Sequence, residues 1–154
     1  MRLGIVASLT LLVAAGAIAA PLSKQAALKI MHERHEGMEA VGKANRVLRR
    51  ELTADSPNVA EVRVAAATMA SLAARSGRWF PEGTGPNVGK TGAKAEIWKN
   101  PKDFSAKVRD FQGAAKALHR AAARADAGAA KAAYAALGKT CKACHDSYRT
   151  DMHH

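Results

Sequence analysis

Residues 126–149 read DAGAAKAAYAALGKTCKACHDSYR, and this stretch decides the fold. After the short turn Asp126-Ala127-Gly128, the residues Ala130, Ala133 or Tyr134, Leu137, Cys141, Cys144 and Tyr148 recur at steps of three and four. That is the period of a helix burying one face. The helix is predicted to run to about Arg149, and it carries Cys141-Lys142-Ala143-Cys144-His145, a C-x-x-C-H pattern. On a helix, positions three and four apart share a side, so both thiols and the imidazole project together. Covalent haem attachment needs that placement: each sulfur must reach one vinyl group, and the imidazole must reach the iron.

The same period recurs upstream. A first helix is predicted from about Lys24 to Leu52 with Ser23 as its cap, and Leu28, Met31, His35, Met38, Val41, Asn45, Leu48 and Leu52 on one face. Thr53 to Ser56 breaks it. A second helix is expected with Ser56 as cap, Pro57 at its first position and a stripe of Val59, Val62, Ala66, Met69 and Leu72 or Ala73. It ends near Ser76-Gly77. Gly77 to Ala93 is rich in Gly and Pro and reads as a long crossover loop, anchored by Trp79, Phe80, Ile97 and Trp98. Asn100-Pro101 opens a third helix, with Asp103 favouring its dipole and Phe104, Val108, Phe111, Ala115, Leu118, Ala122 and Ala125 as its stripe. No strand pattern intervenes. The expected fold is all-α, an antiparallel up-down-up-down four-helix bundle with short first and third connections. With aromatics at only 5%, its predicted core is thin in bulk, and a flat apolar haem would fill it.

The N-terminus is read separately. Met1-Arg2, the apolar run Leu3 to Ala15 and the small residues Ala17-Ile18-Ala19 form a secretory signal peptide, cut after Ala19. The run is short for a membrane span of about 20 residues. Residues 1–19 are therefore assigned to a cleaved leader and 20–154 to a single haem domain. No stable membrane insertion is expected after cleavage.

The chain has two cysteines, both in the motif. A disulfide between helical neighbours would close a tiny loop and stabilise little. A zinc site would want further ligands, and a thioredoxin-like pair would want strands. The net charge is +11 for the whole chain. In an exported haem protein this suits an acidic redox partner or an anionic surface better than nucleic acid, although scattered Lys and Arg also serve solubility.

The chain resembles the class II c-type cytochromes, the cytochrome c′ family. The resemblance rests on Arg34 followed four residues later by Met38, on Phe80-Pro81-Glu82-Gly83-Thr84-Gly85, on Glu96-Ile97-Trp98, and on Cys141 to Arg149. It implies an exported bacterial four-helix bundle in the periplasm with one covalent haem c. It implies that Cys141 and Cys144 bind the haem, that His145 is the proximal iron ligand, and that Arg34 lies near a propionate. Met38 falls on the distal side. Low-spin relatives place a Met sulfur on the iron and carry electrons, whereas five-coordinate relatives bind nitric oxide or carbon monoxide. Met38 is read as the second metal ligand, although a Met in an apolar stripe also serves as filler. His35, where five-coordinate members usually carry Gln, is a rival ligand and the sole candidate for a weak peroxidase's acid–base group. His32 and His119 read as surface residues, and His153 and His154 as an exposed end. The expected function is one-electron transfer rather than catalysis. Relatives often dimerise through the first two helices, so a homodimer is a further expectation.

Overall fold

The computed structural model describes residues 21–150. The predicted leader, residues 1–19, and the terminal His153 and His154 lie outside them. Five α-helices follow in order: α1 Lys24–Thr53, α2 Val59–Ser76, the short α3 Glu96–Lys99, α4 Pro101–Ala123 and α5 Ala127–Tyr148. A 3-10 turn, Gly77–Trp79, leads out of α2. The four long helices form the up-down-up-down bundle that the periodicity predicts, and α3 is one extra turn in the crossover loop. Among the described residues no helix is long and apolar enough to cross a membrane.

Local chemistry sets the helix ends. The Ser23 hydroxyl accepts the Ala26 amide at 3.2 Å, as expected of that cap. The second helix starts later than predicted. Asn58 caps it, its side-chain carbonyl accepting from Ala60 and Glu61, so Ser56 and Pro57 belong to the connection. The reason lies in α1: Glu51 reaches across and accepts the Asn58 amide at 2.9 Å, which holds the connection in an extended turn. Asn100 stands at the start of α4, yet its amide side chain donates back to the Glu96 carbonyl instead of capping. Asp126, by contrast, caps α5 rather than opening a turn, accepting the Ala129 amide at 2.9 Å. The α4–α5 connection is therefore very tight, and Ala125 takes the left-handed conformation with φ 56°.

The main core lies between α1, α2, α4 and α5. Leu48, Met69, Leu118 and Leu137 are fully buried, with Ala44, Ala66, Ala115, Ala122 and Ala130 between them. These small residues let the helices approach closely. A second cluster sits beyond it, where Ile97, Phe104 and Tyr148 pack with Phe80, Trp98 and Val108. Phe104 meets both Phe80 and Tyr148 edge to face, at 4.9 and 5.3 Å between ring centres.

On α1 the buried face is rotated from the predicted one. Ala27, Met31, Arg34, Ala44, Leu48 and Leu52 are buried, while Leu28, His35 and Met38 are exposed. The crossover loop is the cause. It folds back over the Ala27–Met31–Arg34 side of α1, so that side, and not the neighbouring apolar stripe, is covered.

Candidate functional site

Helix α5 presents the C-x-x-C-H residues as the spacing requires. Cys141 is half-buried against the main core and Cys144 half-buried against the aromatic cluster, so the thiols straddle the boundary between the two. His145 lies on the exposed side. Burial pushes both thiols above their ordinary pKa. The imidazole is pushed down, first by desolvation and then by the Arg149 guanidinium, with Asp146 opposing. A lowered value keeps the ring neutral, which is the form that binds a metal.

The register between α1 and α5 places the other candidates. The two helices are antiparallel, and the Tyr134 hydroxyl donates to Asn45 Oδ1 at 3.0 Å. Met38 precedes Asn45 by two helical turns, and Cys141 follows Tyr134 by the same interval. Both therefore lie about 10 Å further along the bundle at 1.5 Å per residue. One turn beyond them stand Arg34 on α1 and His145 on α5. Helices α1 and α5 touch little, and Met38 is exposed at this level of α1. Two thiols and a neutral imidazole on α5, with a thioether at the same level of α1, form a donor set that suits a covalently held haem. A separate cavity of about 300 Å³ near Phe80, Trp98, Phe104 and Arg109 includes none of these residues.

Arg34 is where the structure adds most. Its side chain is buried, and both terminal nitrogens donate twice. Nη1 donates to the Trp79 carbonyl and to Thr84 Oγ1, each at 3.2 Å. Nη2 donates to the Thr84 carbonyl and to Thr91 Oγ1, each at 3.0 Å. The guanidinium also lies 5.0 Å from the centre of the Phe80 ring and 5.9 Å from that of Trp98. Among the described residues no carboxylate pairs with it, and burial lowers its pKa to about 10. With the terminal N–H groups engaged, only Nε–H is left to meet an external anion such as a propionate.

His35 is exposed beside Met38 and pairs with Glu39, Nε2 to Oε1 at 3.3 Å. His32 pairs in the same way with Glu36. His119 is exposed on α4. Three contacts of this region escaped the sequence reading: Thr84 and Thr91 receive the Arg34 fork, and Asp103, read only as favouring the helix dipole, accepts the Tyr148 hydroxyl at 2.5 Å. Thr84 lies in the quoted Gly-rich stretch, but nothing local marks Thr91.

Comparison with known proteins places the chain among similar sequences and folds. A family model described as Cytochrome C′ matches residues 29–149. The cytochrome c′ of Allochromatium vinosum is 36% identical over 139 residues, covering 88% of each chain. A solved cytochrome c′, described as having an unusual ligand-controlled dimer dissociation, is 32% identical with a TM-score of 0.74 and covers 86% of this chain and all of its own. A nitric oxide complex of a variant cytochrome c prime from Alcaligenes xylosoxidans is 26% identical, with a TM-score of 0.72, covering 83% of this chain and 97% of that one.

Proposed function

Since the chain belongs to the cytochrome c′ family, whose members carry one covalently attached haem c, we propose that it is a periplasmic carrier of single electrons. The observation that supports this reading is the helix register: the Tyr134–Asn45 hydrogen bond sets Met38 of α1 level with Cys141 of α5, so a thioether is available opposite the C-x-x-C-H residues. When bound, the haem supplies a metal that cycles between two oxidation states. Cys141 and Cys144 would hold it as thioethers, His145 would bind the iron from α5, and Met38 would bind it from α1, where a thioether favours the reduced state. Two protein ligands would leave the iron no open position for a substrate, so no enzymatic turnover is proposed.

Lys139, Lys142 and Arg149 are exposed on and beside the motif, with Asp146 as a local acid paired to Lys142. This basic rim suits an acidic redox partner, steered by long-range charge. The apolar leader supports export. The relative with a ligand-controlled dimer supports a homodimer, and the exposed Val59 and Val64 on α2, 44% and 68% accessible, offer it a surface.

The nitric oxide complex of a similar protein favours a second reading, in which Met38 stays off the iron and walls an open face that admits nitric oxide or carbon monoxide. Visible spectra of oxidised and reduced protein, with and without carbon monoxide, separate the two. The carrier reading expects a low-spin spectrum in both states and little response to carbon monoxide. Rapid, tight carbon monoxide binding by the wild type would overturn it in favour of the open face.

A further inference from the structure

On α1, the turn that carries Met38 is held by the crossover loop at two points. The Arg34 fork grips Trp79, Thr84 and Thr91, and Gly37 lies against the Trp79 ring. The same loop is strapped to the end of α5. Thr91 Oγ1, which receives Arg34 Nη2, also accepts the Ala93 amide at 3.2 Å. Ala93 then forms an antiparallel bridge with Arg149. Around it the Thr150 amide donates to the Gly92 carbonyl and the Lys94 amide to the Tyr148 carbonyl, each at 2.9 Å. The Arg149 amide in turn donates to the carbonyl of His145 itself, at 3.0 Å. An unbroken run of contacts thus joins Arg34, one turn before Met38, to the backbone of His145 on α5.

We propose that the crossover loop couples α1 to α5, and that Arg34 is a positioning residue for His145, acting through Thr91 and the 92–94 strap. The guanidinium suits the task because its planar fork reaches acceptors at three loop positions, which an ammonium at a single point cannot do. Its four terminal N–H groups face the loop, so its main work is on the protein rather than on a haem carboxylate. Two discrete holds, one at each end of the loop, are the physical basis for coupling across it.

The test uses the haem-loaded full chain and two variants, Arg34→Lys and Thr91→Val. Two readouts are followed: hydrogen exchange at the Lys94 and Thr150 amides, and the ring-proton band of the iron-bound His145 imidazole in the proton NMR spectrum of the reduced protein. The second rests on His145 being the iron ligand, as proposed above; the first does not. Both variants should speed exchange at Lys94 and Thr150 by about tenfold or more while amides of the Leu48–Leu118 core keep their protection, and both should shift the band. Exchange that rises equally in the core would reduce Arg34 to a general stabiliser and overturn the proposal. So would an unaltered strap, or a loosened strap with the band unmoved. Should Arg34→Lys fail to fold, Thr91→Val decides alone, since it keeps side-chain volume and removes only the shared acceptor. If mass measurement shows no haem on Cys141 and Cys144, the functional reading fails, and the amide exchange still decides whether Arg34 governs the strap.

Discussion

Gly37 lies flat against the indole of Trp79. A Cβ added at Gly37 would come within 2.5 Å of Trp79 Cζ2, with two more ring atoms under 3 Å. Trp79 cannot easily yield, since it is buried and its carbonyl accepts from Arg34. Two effects oppose each other in Gly37→Ala. Helix propensity favours Ala by about 1 kcal/mol, whereas overpacking a tight contact costs about 1–3 kcal/mol. The contact is closer than side chains tolerate, so overpacking wins. Gly37→Ala should lower stability by about 1–2 kcal/mol in urea titration, and it should disturb the haem spectrum because Met38 is the next residue.

How much of this was legible in the sequence depends on the range of the cause. The helical period found all four long helices, and Trp79, Phe80, Ile97 and Trp98 do anchor the crossover loop. The side chains of α5 fall as its spacing predicts, with Ala130, Leu137 and Tyr148 buried and both thiols half-buried. These are local facts, settled by spacing of three and four. The failures are non-local. Periodicity placed Leu28 and His35 on the covered side of α1, but the loop that covers α1 arrives from 50 residues away and selects Arg34 instead. The start of α2 was misplaced because Glu51, on another helix, competes for the Asn58 amide. The strap between residues 92–94 and 148–150 pairs only a few residues through their backbones and leaves no pattern to read.

Ala125 pays for the tight α4–α5 turn with a left-handed backbone, φ 56°. For a residue with a Cβ that conformation costs about 1–2 kcal/mol. Glycine adopts it freely but loses more entropy on folding, which returns about 0.4–1 kcal/mol of the gain. Ala125 is exposed and buries no methyl of consequence. Ala125→Gly should therefore stabilise the protein by about 0.5–1 kcal/mol, read as a higher urea midpoint with unchanged slope.

Glu51 gives the fold an acid-sensitive joint. Its carboxylate accepts the Asn58 amide at 2.9 Å and Arg50 Nε at 2.6 Å. These two contacts, the backbone one foremost, hold its pKa below the usual carboxyl value. A depressed folded-state pKa means that the stabilisation is fully present above the unfolded value and is lost as pH falls through the folded one. Glu51→Gln should be less stable than wild type at pH 7, because it keeps an acceptor but loses the charge. The gap should close as the pH is lowered through the carboxyl range. Denaturant titrations at a series of pH values measure it, and a constant gap would show that the charge contributes nothing.

Met38→Ala tests the second axial position most directly. Met38 sits level with Cys141 across the α1–α5 seam, and Ala suits a helix interior at least as well as Met, so the fold should persist. With the thioether gone, the carrier reading expects the iron's sixth position to open. Carbon monoxide should then bind the reduced variant quickly where it scarcely binds the wild type. The reduction potential should fall by more than about 60 mV, the tenfold step for a one-electron couple, because a thioether favours the reduced metal. The neighbouring His35 turns its Nε2 to Glu39 at 3.3 Å, and His35→Ala should change neither property. Unaltered spectra and potential in Met38→Ala would assign the thioether to the wall of an open pocket and the protein to gas binding.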